Sequence, residues 1–490
     1  MYIKKRVVRF LMSREKELAK NTLILSIGTF LPKFAALITI PIITGYLTKV
    51  EYGTYDLIAT LVSLFLPIAT LQIQSAAFRF LIDCRDDVNE RKRVISNIYG
   101  FLIPISVLAL TILFFALHKI SFVTRILIVG YFFVDILMSA TQQIVRGLSE
   151  NKLYSMSSVI QSIVNMLLVV LTVSIARQGL NGVLVSVIVA TIVSIVLLTV
   201  KSGILRDIDF RLKSVSLVKK MLGYSWPMIP NTLSSWVLST SDRLVLTGFM
   251  GLEAVATYAA ANKIPMLFTS VQGTFIFAWQ ENASLALSDS DVEKYYSNMF
   301  DRVFSILSGI MALLIGTTPI LFWLLIRGNY GDSYPQMPIL FMGVFFSAIS
   351  SFMGGIYVAH KRTKNVGLTT MLAAVCNLAI DLGTVQSIGI YAASISTLVS
   401  YTLLSIYRMH DVKSFQKISY NYSKIGISIT VLAGTCILCW VNTFTINIIN
   451  VVIGIIFAFL LNKELFKSII RAIISKLKKG NRYENSSINN

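Results

Sequence analysis

The residues with the most chemistry in this chain are ionisable and amide side chains set into otherwise apolar runs. Asp135, Ser139, Gln142 and Arg146 follow one another at i, i+4, i+7 and i+11. Thr60, Ser63, Thr70 and Gln74 share a helical face with Pro67, and Asn231, Ser235 and Asp242 make another stripe. Tyr258, Asn262, Thr269 and Gln272 make a fourth; Ser26, Thr29 and Lys33 a fifth; Asn377, Asp381 and Thr384 a sixth. Helical periodicity puts such residues on one side of a rod. Together they offer hydrogen bonds, positive charge for an anion, and carboxylates for a proton or cation. They do not form a catalytic constellation. No G-x-x-x-x-G-K-[ST] loop is present, three scattered His residues make no metal site, and no cofactor motif occurs. Cys436 and Cys439 sit on an apolar run and read as small buried residues.

The elements that must carry these side chains are transmembrane helices. Of 490 residues, 55% are hydrophobic and 14% charged, and the mean hydropathy is +0.71. Apolar runs near the ~20 residues that cross hydrocarbon recur from Asn21 to Leu461. About fourteen spans are predicted, with cores at 21–47, 55–78, 94–117, 122–144, 155–176, 181–200, 222–246, 253–277, 303–326, 336–358, 366–386, 389–408, 425–441 and 444–461. Barrel strands would be half as long and alternate in polarity, so the fold class is all-α and polytopic.

The net charge of +20 is distributed by topology rather than along a nucleic-acid surface. With the N-terminus inside, about 36 of the 44 Lys and Arg residues fall on inside segments. The outside segments hold Lys49, Lys119, Arg125, Arg177, Arg243 and Arg327. Both termini are therefore expected in the cytoplasm, and nucleic acid is not expected as a partner. The excess also suits anionic membrane lipid. Residues 1–20 read as a basic amphipathic surface segment and 463–490 as a basic cytoplasmic tail.

The two halves resemble each other. Ile43 to Tyr55 matches Leu246 to Tyr258 at an offset of 203 residues, with Thr44, Gly45, Thr54 and Tyr55 recurring as Thr247, Gly248, Thr257 and Tyr258. The matched segments lie six spans apart, so the repeats run parallel. The expected organisation is a six-helix bundle at 21–200, a basic linker at 201–221 and a second bundle at 222–408. Two extra helices follow at 409–462. Repeat interfaces are where transporters place substrate. Prolines 32, 41, 67, 227, 230 and 265 interrupt the first two spans of each repeat and favour kinks there.

A charge at mid-bilayer costs about 2.5–3.5 kcal/mol on insertion scales, so Lys33 and Asp135 are expected to face a wet cavity, where Asp135 could neutralise Lys33. The Ser, Thr and Asn stripes are read mainly as inter-helix hydrogen bonds. Arg79, Arg146, Asp242 and Arg243 lie nearer helix ends and could snorkel to water. Lys263 falls off the stripe of its own helix, and its role stays open.

The run Tyr46-Leu-Thr-Lys-Val-Glu-Tyr-Gly-Thr-Tyr-Asp56, continuing to Ala76-Ala-Phe-Arg79, resembles the Wzx-type polysaccharide flippases. So do Trp226-Pro-Met-Ile-Pro-Asn231, Ser241-Asp-Arg243 and Ala256-Thr-Tyr-Ala-Ala-Ala-Asn-Lys263. The resemblance is spread over nearly the whole chain in many short matches. It implies two pseudosymmetric bundles in a bacterial inner membrane. The implied cargo is an undecaprenyl-pyrophosphate-linked oligosaccharide, carried to the periplasmic leaflet for O-antigen or capsule assembly. A polysaccharide polymerase and a chain-length regulator are the protein partners it implies.

For such cargo the cleft candidates are Lys33, Arg79, Gln74, Gln142, Arg146, Asn231, Asn262 and Gln272, and the ion-coupling candidates are Asp135 and Asp381. The alternatives are a multidrug extruder of the same superfamily and a membrane polysaccharide polymerase or ligase.

Overall fold

Apolar runs of this length leave the backbone no partner but itself, and the described residues are predominantly helical. The computed structural model describes residues 28, 31–287, 289–464 and 467. The surface segment expected at 1–20 and nearly all of the tail expected at 463–490 lie outside them. Among the described residues no strand occurs.

The helices of the first half are α1 (Leu31–Tyr46), α2 (Lys49–Ala69), α3 (Ile73–Cys84), α4 (Val88–Ala116), α5 (Phe122–Gly147), α6 (Asn151–Val169) and α7 (Gly179–Ser202). Those of the second half are α8 (Val215–Ser225), α9 (Ile229–Thr240), α10 (Asp242–Met250), α11 (Leu252–Lys263), α12 (Pro265–Ala286), α13 (Val292–Leu325), α14 (Met337–Ala359), α15 (Thr363–Ile388) and α16 (Tyr391–Val412). α17 (Tyr422–Val441) and α18 (Phe444–Leu461) follow. Ten helices among the described residues are long and apolar enough to cross a bilayer. Of the other expected spans, the first is described from Leu31 to Tyr46 as α1, the twelfth is α16, rich in Ser, Thr and Tyr, and the seventh and eighth are segmented as α8–α10 and α11–α12.

Segmentation follows from the prolines and from one feature they do not explain. Pro227 lies in the 3-10 turn Trp226–Met228 that precedes α9, and Pro265 opens α12, where a missing N–H costs nothing. In the second span the chain breaks at Thr70–Gln72 rather than at Pro67. Leu71 and Gln72 take φ of 48° and 58°, a region side chains disfavour. The Thr70 hydroxyl donates to the Leu66 carbonyl (2.7 Å) and accepts from the Gln72 N–H (3.2 Å), which satisfies the break locally. Across it, Gln72 Nε2 donates to Thr232 Oγ1 (2.7 Å) and the Ser225 hydroxyl to the Leu71 carbonyl (2.9 Å).

Each half has its own core. Ile73, Leu81, Ile98, Leu102 and Ile144 lead the first, and Phe268, Phe304, Phe341, Phe345 and Phe352 the second. A smaller cluster crosses between the halves, joining Leu47, Tyr52 and Val169 to Ala256, Ala260 and Tyr330. The linker is clamped onto α4: Arg91 grips Asp207 through two bonds (2.8 and 3.1 Å), and Asn97 accepts from the Ser214 N–H and donates to the Leu212 carbonyl. Arg408 is buried and donates to the Ser350 and Val366 carbonyls and to Thr369 and Thr370, tying α14, α15 and α16 together.

α18 lies against α13 through small residues. A Cβ at Gly316 would stand 2.9 Å from the Asn450 carbonyl, and one at Gly454 would stand 2.8 Å from that of Ala312. Close backbone approach of this kind is how helices associate where lipid removes the hydrophobic drive. Cys436 and Cys439 are buried free thiols, as their apolar setting implies.

Candidate functional site

The helices α2, α10 and α11 meet where the two halves touch. A Cβ at Gly53 of α2 would stand 2.0 Å from the carbonyl of Leu252, so only glycine permits this approach. The contact brings Asp56 to Arg243: Arg243 Nε donates to Asp56 Oδ2 at 2.7 Å, and Lys263 Nζ lies 3.8 Å from Asp56 Oδ1. Asp56 and Arg243 are both buried. The guanidinium also lies over the Tyr258 ring (5.6 Å), and the Lys263 ammonium over that of Tyr52 (5.6 Å). Two cations thus share one carboxylate across the seam. Nearer the α1–α2 loop, Lys49 pairs with Asp332 (3.8 Å) and Tyr52 packs edge-on to Tyr330 (5.8 Å).

The residue before Arg243 faces the other way. Asp242 opens α10, where the helix dipole favours negative charge. Its Oδ2 accepts from the Tyr258 hydroxyl (2.5 Å) and from Thr397 Oγ1 (3.1 Å). Its Oδ1 is buried and accepts nothing from any described residue. Asp381 of α15 is wholly buried, and neither of its oxygens has a hydrogen-bond partner among the described residues. The two carboxylates are close enough to repel. Asn377, one turn before Asp381, accepts from the Ser241 hydroxyl (3.5 Å) and donates to Ser396 Oγ (3.2 Å). A buried carboxylate with open lone pairs is satisfied by a proton, a cation or an enclosed water. The oxygens of Asp242, Asp381, Asn377 and Thr397 are a donor set for a hard ion.

The residues singled out by sequence do not gather at one point. Asp381 belongs to the carboxylate pocket, and Asn262 borders the site by donating to the Tyr258 carbonyl (3.1 Å). Gln74 and Gln272 are buried, and Gln74 Oε1 has no partner among the described residues. Arg79 is exposed and pairs with Asp83 (2.5 Å) beside a ~480 Å³ pocket that Lys220 and Tyr224 also line. Arg146 is half-buried over the rings of Phe78 (4.9 Å) and Tyr154 (5.5 Å), and Gln142 is half-buried. Asn231 is exposed, with its amide oxygen 3.6 Å from where a Gly367 Cβ would stand. Lys33 is exposed and Asp135 half-buried; no ion pair joins them, and neither has an ionic partner among the described residues. The expected neutralisation of Lys33 by Asp135 is absent from this structure.

Sequence reasoning missed Asp56, Arg243 and Lys263 as a unit. One signal was available: Asp56 extends the Thr60–Ser63–Pro67 stripe by a turn, and a carboxylate that deep needs a cation. Arg243 looked free to snorkel because it stands near the end of an apolar run. In the folded chain that end is packed against α2.

The fold and sequence can be set beside known proteins. The lipid II flippase MurJ in an inward closed conformation matches with a TM-score of 0.67 at 14% identity, over 91% of this chain and 100% of that one. An outward-facing multidrug resistance MATE transporter matches at 0.58 and 14% identity, over 81% of this chain and 95% of that one. A curated relative, the probable low-salt glycan biosynthesis flippase Agl15 of Haloferax volcanii, is 21% identical over 277 residues, which is 52% of this chain and 58% of that protein. The match therefore spans little more than half of that relative's length. The profile of the polysaccharide biosynthesis protein family covers residues 18–279. The chain is a multi-pass membrane protein of the polysaccharide biosynthesis protein family, built on the fold that MurJ and the MATE transporters share.

Proposed function

We propose that this protein is a flippase. In this reading it carries undecaprenyl-pyrophosphate-linked oligosaccharide repeat units across the bacterial inner membrane by alternating access, for O-antigen or capsular polysaccharide assembly. Both termini lie in the cytoplasm, and the face bearing the basic linker is the cytoplasmic one. The polyprenyl tail stays in lipid while the charged and glycosylated head crosses between the two bundles. Lys33, Arg79, Gln74, Gln142, Arg146, Asn231, Asn262 and Gln272 supply cations and amides along the way, for which a diphosphate and a glycan are suitable partners. A polymerase and a chain-length regulator act on the product.

The observation that carries the reading is the pair of buried polar clusters on consecutive residues of α10. Arg243 bonds across the seam to Asp56, while Asp242 faces the open lone pairs of Asp381. Bundles that only needed to pack would not bury four carboxylate and guanidinium groups here, because apolar replacements cost less. A seam ion pair next to a cation-binding pocket is what coupling needs: the cation or proton at Asp242 and Asp381 biases α10, and α10 carries one half of the seam. Asp135, half-buried without an ionic partner, is the corresponding coupling candidate of the first bundle.

The test is complementation of a bacterial strain that accumulates lipid-linked repeat units on the cytoplasmic leaflet. Restored surface polysaccharide supports the flippase. Restored drug resistance without polysaccharide would point to an extruder, and neither outcome with folded protein present would remove both.

A further inference from the structure

The seam triad holds one more positive charge than it neutralises. Arg243 and Lys263 contact a single carboxylate, Asp56, and no other ion pair reaches either cation among the described residues. Asp242 is within electrostatic reach of Arg243, but its bonds go to Tyr258 and Thr397. The Tyr52 hydroxyl lies in the same place, buried, with no hydrogen-bond partner among the described residues. Lys263 keeps about a quarter of its side chain exposed (24%), so the cluster is sealed on the Arg243 side and reachable on the lysine side. Two cations, an unspent hydroxyl and one monovalent anion describe a site made for a larger, more highly charged anion.

We propose that Asp56 is an internal stand-in for the cargo's diphosphate: Arg243 and Lys263 hold the diphosphate when it arrives, and the release of Asp56 unlatches the two bundles. The identity of the anion rests on the flippase reading; the latch does not. Arginine binds two phosphate oxygens through its planar fork, and lysine adds a compact charge, so a diphosphate outcompetes one carboxylate there. Losing Asp56 removes the ionic tie between α2 and α10. The Lys49–Asp332 pair, the Tyr52–Tyr330 contact, the bond from the Arg327 N–H to the Thr44 hydroxyl (3.0 Å) and the apolar packing of α2 against α11 remain on that face. The bundles can then part only when cargo has taken the carboxylate's place, which makes opening conditional on loading.

The experiment measures binding of farnesyl diphosphate and farnesyl monophosphate to the full chain in lipid nanodiscs. Asp56→Asn is expected to tighten diphosphate binding by about tenfold, and Asp56→Glu to leave it near the wild-type value. The gain should vanish when Arg243→Gln or Lys263→Gln is added, and should be smaller for the monophosphate. Unchanged or weaker diphosphate binding by Asp56→Asn overturns the proposal, as does a gain that survives both cation replacements. Should Asp56→Asn not fold, the latch is read in otherwise native protein carrying Lys49→Cys and Asp332→Cys. The diphosphate is expected to slow their disulfide formation, and an unchanged rate contradicts the proposal. Diphosphate effects as described, with no glycan export in the complementation assay, would sink the flippase reading and leave the latch standing.

Discussion

The two bundles share a scaffold and differ in their chemistry. At an offset of 203 residues, Thr44 donates its hydroxyl to the Ile40 carbonyl (2.9 Å) and Thr247 donates to the Arg243 carbonyl (2.6 Å). Thr54 donates to the Val50 carbonyl (2.7 Å), and Thr257 to that of Glu253 (3.0 Å). Thr54 and Thr257 therefore do the same local work in both halves, while the Thr44 hydroxyl also accepts from the Arg327 N–H (3.0 Å). The ionic residues do not recur. Asp242 and Arg243 stand opposite Thr39 and Ile40 in the first half, and Asp56 stands opposite Ala259 in the second. Each half supplies only part of the seam triad, so the triad exists only when the halves meet. The repeat matches at Thr44, Gly45, Thr54 and Tyr55, and departs at the residues of the seam triad.

That contrast can be broken most forcefully at the carboxylate pocket. Asp381→Asn or Asp242→Asn is expected to lower glycan export by about 100-fold, near the top of the usual range for a coupling free energy. Thr39→Asn, at the position equivalent to Asp242, is expected to leave export near wild type. Export assays normalised to protein abundance read both, and equal losses would erase the distinction between the bundles.

The next effect concerns stability. Arg243→Gln leaves Asp56 buried with Lys263 as its one ionic contact among the described residues and is expected to cost about 3 kcal/mol in unfolding free energy. Replacing both Asp56 and Arg243 by Leu should recover most of it. Thermal unfolding in detergent measures each, and additive losses in the double variant would show that the pair is not coupled.

Lys33 tests the cleft. Lys33→Ala is expected to lower export about tenfold at unchanged abundance, a loss of roughly 1.4 kcal/mol, with Lys33→Arg keeping part of it. Full export by Lys33→Ala would remove that residue from the transport path.

The smallest effects belong to the shared frame. Thr54→Ala and Thr257→Ala should each cost about 0.6 kcal/mol or less, and by similar amounts. A large difference between them would mean that the repeat is not equivalent where the sequences match.

Much of this was legible in the sequence. Apolar runs near twenty residues define the spans, since lipid leaves helices as the only open form. Asp381 stood out because a carboxylate inside such a run demands an explanation. The break at Leu71 and Gln72 did not, since neither residue advertises a left-handed backbone and the nearby Pro67 pointed elsewhere. Nor did the triad. Spacing relates residues on one helix, whereas Asp56 meets Arg243 only because Gly53 lets α2 approach the start of α11, a contact between residues far apart in sequence. Lys33 and Asp135 show the converse: each reads well on its own stripe, yet no ionic contact joins them.

In the proposed mechanism, lipid-linked glycan crosses the membrane between these bundles, driven through the Asp242–Asp381 pocket. Proteoliposomes carrying a fluorescent polyprenyl-diphosphate oligosaccharide in the inner leaflet test it directly, by the arrival of label in the outer leaflet under an imposed sodium or proton gradient. Gradient-dependent arrival is expected with the wild-type protein and background arrival with Asp381→Asn. Arrival at the protein-free rate with folded wild-type protein, or equal arrival with Asp381→Asn, would contradict it.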